Sequence, residues 1–106
     1  MTRVMLLTAA DGRLSGFCIK GHSGAGVSGH DLVCAAVSSA SLMTVNAVTD
    51  VCRAHAVVRE SDGRLFLSVL SGDLAACQTL LEGFRLHMRV LAAQYPAYIR
   101  VSEIQP

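Results

Sequence analysis

The chain has no tryptophan, only 5% aromatic residues and 16% charged residues. It has two prolines. Its nine lysines and arginines are scattered, with no basic run carrying interleaved aromatics, so the sequence offers no recognisable nucleic-acid footprint. Acidic runs are missing too. The four cysteines, Cys18, Cys34, Cys52 and Cys77, make no CxxC pair. That spacing speaks against a zinc ribbon and a thioredoxin motif. The apolar start of the chain is too short for a secretory signal, and no uninterrupted run reaches the roughly 18–20 apolar residues of a membrane span. These absences describe a cytoplasmic protein with free thiols, no membrane partner and no nucleic-acid partner.

What the chain does have is apolar content, 52% of 106 residues. That length makes one domain, residues 1–106, with a single core. The low charge predicts leftover apolar surface that a homodimer would cover. Residues 3–9 and 14–20 read as strands around Asp11-Gly12, a hairpin signal in which Gly supplies the positive φ of a type I′ turn. Residues 31–51 read as a broad-striped helix with Leu32, Ala36, Ala40, Met43 and Ala47 at helical spacing. Residues 54–60 and 65–70 repeat the hairpin around Asp62-Gly63. A second helix, capped by Ser71 or Asp73, runs to about Gln94, and Pro96 stops it. Residues 98–104 make a last strand. The order β-β-α-β-β-α-β predicts an α+β fold, a two-layer α/β sandwich with a mixed sheet and both helices on one face. The other face of the sheet is then the expected dimer surface.

The segment from Lys20 to Ser38 concentrates the chemistry. It opens on His22, crosses a glycine-rich loop and enters a helix carrying Cys34. With Asp31 as N-cap, Cys34 falls in the first helical turn, where the macrodipole and unpaired N–H groups lower a thiol pKa and can hold an oxyanion. His22, twelve residues upstream at the strand end, can face the helix start across the loop and act as base or ion-pair partner for that thiol. The plainer readings are a buried helical cysteine and a solvated loop histidine. Asp31 reads as a helix cap, an orienter of His22, or both. Ser38 lies one turn beyond Cys34 on the same face. Gly24, Gly26 and Gly29 spell a formal GxGxxG, but the preceding strand belongs to a hairpin and no acidic residue ends a second strand. With Gly21, they read instead as a mobile substrate loop. No metal set is assigned, because His22, His30, Asp31 and Cys34 match no established ligand spacing, and no cofactor is implied. His55 and His87 have no partner in sequence and receive no role.

The run GHSGAGVSGHDLVCAAVSSASLMTVNAV resembles the signature of the bacterial ribosomal-processing cysteine proteases (Prp): a Gly-His-x-Gly loop, then Gly-x-Asp-x-Val-Cys-Ala-Ala-Val-Ser. The C-terminal LLEGFRLHMRVLAAQYPAYIRVSE is similar to that family's second helix and last strand. Ser23 stands where alanine is common, and Ala25-Gly26 where many members carry an aromatic residue. The resemblance implies a small homodimeric endopeptidase. Such an enzyme removes the N-terminal extension of a large-subunit ribosomal protein, number twenty-seven of the L series. It also implies His22 and Cys34 as catalytic pair, with Asp31 and Ser38 in support. The alternative reading is a non-catalytic module that binds a peptide or an anion during ribosome assembly.

Overall fold

A computed structural model describes residues 1–21 and 28–106, with side chains for 1–21 and 32–106. His22, Gly24 and Gly26 therefore lie outside the described residues. Gly29, His30 and Asp31 are described in backbone only.

Seven elements follow in the expected order: β1 (Thr2–Thr8), β2 (Leu14–Lys20), α1 (Ser28–Asn46), β3 (Ala56–Ser61), β4 (Arg64–Val69), α2 (Leu74–Gln94) and β5 (Ile99–Ile104). The strands form one mixed sheet in the order β3-β4-β2-β1-β5. All neighbours are antiparallel except β1 and β5, which run parallel. The two helices share one face of the sheet, the two-layer α+β arrangement that the sequence predicts.

Alternation along the strands makes the core. Val4 and Leu6 of β1, Phe17 and Ile19 of β2, and Leu67 and Val69 of β4 are buried. They meet Val33, Val37, Val45 and Val48 from α1 and its extension, and Leu81, Phe84, Met88 and Leu91 from α2. Phe17 and Phe84 stack across the two layers, with ring centroids 4.2 Å apart. Burying one such side chain is worth about 1.5–3 kcal/mol, so this pair is a principal tie between helix layer and sheet.

The ties outside the core are polar. The Gln78 side chain accepts from the Leu14 N–H at 3.1 Å and donates to the Leu14 carbonyl at 2.6 Å. This brace sits where the β1–β2 register shifts between Leu7 and Thr8. Arg85 and Arg89 of α2 both donate to the Glu103 carboxylate of β5, at 2.9 and 3.0 Å.

Four local expectations are corrected. The glycines of the two Asp-Gly turns take positive φ, +88° at Gly12 and +69° at Gly63, but Arg53 is the one described non-glycine residue to do so. Asp11 and Asp62 thus keep negative φ, and neither turn is type I′, which needs positive φ at both central positions. In the first hairpin Ala9 accepts from Gly12 and donates to Arg13. That pattern is a three-residue loop closed by a left-handed glycine.

Helix α1 begins at Ser28, not at an Asp31 cap. Its last turn, Ala47–Val51, widens to a π-helix before Cys52. The stretch Leu32–Val51 is also more apolar than expected. Its mean hydropathy is 1.6 over 20 residues, enough by length and composition to cross a membrane, because alanine, valine and methionine outweigh its serines and threonines. In this fold it is the core helix, with Ser41 and Thr44 buried and returning their hydroxyls to the Val37 and Ala40 carbonyls.

Finally, Asp73 precedes α2 but makes no side-chain cap bond. Its carboxylate instead accepts from the His55 N–H at 2.7 Å and pairs with His55 Nδ1 at 2.9 Å.

Candidate active site

Strand β1 starts, and β2 ends, at the same edge of the sheet, because Arg3 pairs with Lys20. Cys34 of α1 points at that edge. Its Sγ lies 3.2 Å from the hydroxyl of Thr2, a side chain only 2% exposed. The Thr2 N–H donates to the Tyr98 carbonyl at 2.8 Å, which fixes the first residue of β1 against the start of β5. Cys34 itself is partly exposed, and so is open to a substrate from outside.

Thr2 is the residue that sequence reasoning missed. Its hydroxyl is within hydrogen-bond reach of the sulfur, with either group able to donate, and so holds the thiol in place. Nothing local signals it: position 2 and Cys34 are 32 residues apart, and only the packing of α1 on β1 joins them.

Gly21 anchors the chain where it leaves β2. Its φ is +90°, and an added Cβ would sit 2.5 Å from the Met1 carbonyl oxygen. Its N–H donates to the Gly63 carbonyl at 2.9 Å. The exit toward His22 is therefore held between the start of β1 and the β3–β4 turn, at the same sheet edge as Thr2. Only glycine accommodates both the backbone angle and the close approach.

The expected placement of Cys34 changes. With α1 starting at Ser28, Cys34 is the seventh residue of the helix and not part of its first turn. The N–H groups left without intrahelical partners belong to Ser28–Asp31, ahead of the thiol. The macrodipole acts mainly within the first turn, so it contributes less at Cys34 than an Asp31 cap would imply. Ser38, one turn further on, is exposed and does not touch the sulfur in any described contact.

Ser38 instead lines a hollow of about 230 Å³ beside the thiol's helix. Ile19, Val37 and Leu65 give it apolar walls, and Glu60 and Arg64 stand at its rim. It is smaller than the roughly 300–1,000 Å³ of a drug-sized ligand site and suits a peptide side chain.

The other thiols differ. Cys77 is fully buried, and burial pushes its thiol pKa up, which makes it inert at neutral pH. Cys52 is exposed at the end of the π-helical turn, and Cys18 is half-buried in β2. Among the described residues no group of three or more histidines, cysteines or carboxylates could hold a metal ion.

Comparison with known proteins gives the family and the fold. A family profile described as cysteine protease Prp matches residues 1–100. Three solved structures share the fold. A ribosomal processing protease Prp from S. aureus, crystallised with a substrate peptide, has a TM-score of 0.88 and 21% identity, over 98% of this chain and 100% of that one. The same S. aureus protease with a covalently linked product peptide gives 0.85 at 22% identity, again over 98% and 100%. The protein SMU.848 from Streptococcus mutans gives 0.84 at 28% identity, over 100% of this chain and 96% of that one. No curated protein matches the chain.

Proposed function

The chain belongs to the cysteine protease Prp family and is a cysteine-type endopeptidase; from that premise we propose that Cys34 is its nucleophile, His22 its base, and a large-subunit ribosomal protein precursor its substrate. The observation that carries the site assignment is the Thr2–Cys34 contact. It sets the sulfur at the sheet edge from which the chain departs, through Gly21, toward His22.

His22 takes the Cys34 proton, and the thiolate attacks the scissile carbonyl carbon. The tetrahedral intermediate collapses as the C–N bond breaks, and His22 returns the proton to the leaving amine. Water, deprotonated by His22, then cleaves the thioester and regenerates the thiol. The Thr2 hydroxyl steadies the sulfur while it is negative. Asp31 and Ser38 act in support, Ser38 at the mouth of the side-chain hollow. Of the glycines expected in a substrate loop, Gly24 and Gly26 lie outside the described residues, Gly29 falls in the first turn of α1 and so is not a loop residue, and Gly21 anchors the chain where it leaves β2. No cofactor takes part in any of these steps.

The substrate is the N-terminal extension of ribosomal protein number twenty-seven of the large subunit, removed in the cytoplasm. The S. aureus neighbour is a ribosomal processing protease, and one of its structures carries a covalently linked product peptide. That history fits a thiol that bonds its substrate. The working form we propose is a homodimer. Exposed Met43, Leu86 and Val90 on the helix layer supply apolar surface that a second copy would cover.

The test reads the sulfur itself. At neutral pH Cys34 should react with iodoacetamide faster than Cys18 or Cys52. His22→Ala should slow it. If Cys34 in the wild type reacts no faster than Cys52, the assignment of Cys34 as the nucleophile fails.

A further inference from the structure

The scatter of basic residues along the sequence conceals an ordered row in the fold. On the sheet face away from the helices, Arg100 pairs with Arg3, Arg3 with Lys20, and Lys20 with Arg64. Four cations thus stand directly opposite one another on four adjacent strands. At roughly 4.8 Å between strands, the row spans about 14 Å. Arg59 stands in the next row on the same face, opposite Phe66. All five side chains are exposed.

Alternation puts no Asp or Glu on this face in any of the five strands. Among the described residues, none of the five cations is in an ion pair; the salt bridges use Arg13, His55, Arg85 and Arg89. Like charges directly opposite in a sheet destabilise it. The row is therefore a local cost of folding that the described residues leave uncompensated. A polyanion would compensate it. A second copy laid face to face would bring the same charges together, which disfavours the dimer surface expected on this side.

The rest of the face narrows the chemistry. A hollow of about 750 Å³ lies over it, lined by three cations, Lys20, Arg59 and Arg64, by Phe66 and the hydroxyls of Ser61 and Ser68, and by one carboxylate, Glu60, which reaches it from the other side of β3. Cations that track phosphates beside an aromatic ring on which a base can stack are the parts of a single-strand binding surface. Hydroxyls there can pair with a ribose 2′-hydroxyl, a group that DNA lacks. An acidic peptide would satisfy the charge but would leave the ring unused.

We propose that this sheet face is a docking surface for single-stranded RNA. It does not depend on the protease assignment, since it uses neither Cys34 nor His22.

The test is fluorescence anisotropy with a labelled uridine 20-mer and the intact protein, at 50 to 200 mM salt. Binding should weaken with salt, the log–log slope falling by about 0.7 for each phosphate contacted. The double variant Arg59→Ser/Arg100→Ser should lower affinity at least tenfold and flatten the slope by about 1.4. Arg13→Ser, a loop cation paired with Asp11, should match wild type. The double variant should melt at or above the wild-type temperature, because repulsion has been relieved. No RNA binding at 50 mM salt would overturn the proposal. So would an equal loss in Arg13→Ser, a lower melting temperature in the double variant, or wild-type self-association that the double variant abolishes. A deoxythymidine 20-mer that binds as tightly, or polyglutamate that competes as well per charge, would also overturn it.

Discussion

The Thr2 hydroxyl lies 3.2 Å from the Cys34 sulfur, joining the first strand to the helix that carries the thiol. Because α1 starts six residues before Cys34, its dipole does less at the sulfur, and under the proposed mechanism the Thr2 contact matters more. A net hydrogen bond is worth about 1 kcal/mol, or roughly fivefold in an equilibrium. Thr2→Val keeps the shape and removes the hydroxyl. It should slow neutral-pH alkylation of Cys34 up to about fivefold. Equal rates at neutral pH would show that Thr2 only packs.

Gly16 should tolerate nothing larger. It lies in β2, between β1 and β4, and a Cβ there would overlap the Leu67 carbonyl oxygen of the neighbouring strand. Both atoms are backbone, so relief requires the sheet to part. Gly16→Ala should cost about 3 kcal/mol or more in urea unfolding, at the upper end of overpacking effects. Gly72→Ala is the comparison, since an added Cβ there meets nothing within 4 Å.

The Asp73 carboxylate gives stability a signature on the acid side. The His55 backbone N–H, and then its ring, hold the carboxyl below its ordinary value of 3.8. A depressed folded pKa contributes stability that is present above the unfolded value and is lost as pH falls through the folded one. Wild type should therefore lose stability as pH falls below about 3.8. Asp73→Asn should be less stable at pH 6 and should show a shallower acid slope. Parallel slopes in chemical denaturation would refute the contribution.

Thiol labelling should divide the cysteines by environment. Cys77 is fully buried and its thiol is pushed up by that burial, so it should resist iodoacetamide until the protein unfolds. Exposed Cys52 should react at an ordinary rate. Peptide mapping after brief labelling reads both. Early labelling of Cys77 would mean that the α2–sheet packing opens far more readily than the core implies.

Local signals carried the architecture well. The two Asp-Gly turns, the helical spacing of Leu74, Cys77, Leu81, Phe84, Met88 and Leu91, and Pro96 placed the strands and α2 within a few residues. What the sequence could not display was register. Arg3, Lys20, Arg64 and Arg100 look scattered until strand pairing aligns them, and so an absence of nucleic-acid character was expected where a basic row stands. Thr2 was invisible for the same reason, because its partner comes from tertiary packing. The His55–Asp73 pair hid similarly: Asp73 looked like a helix cap, and its carboxylate turned to β3's entry instead. Asp31 failed as a cap because local propensity allows several serine and aspartate starts, and α1 takes the earlier one.

The central claim is that Cys34 cuts a ribosomal protein precursor. Purified protein should be incubated with the full-length precursor of large-subunit protein twenty-seven from the same host, and the products weighed by intact-mass spectrometry. Wild type should yield one new mass, the precursor less its N-terminal extension, and Cys34→Ala should yield none. Cleavage at the same bond by Cys34→Ala, or an unchanged precursor with wild type, would contradict the account.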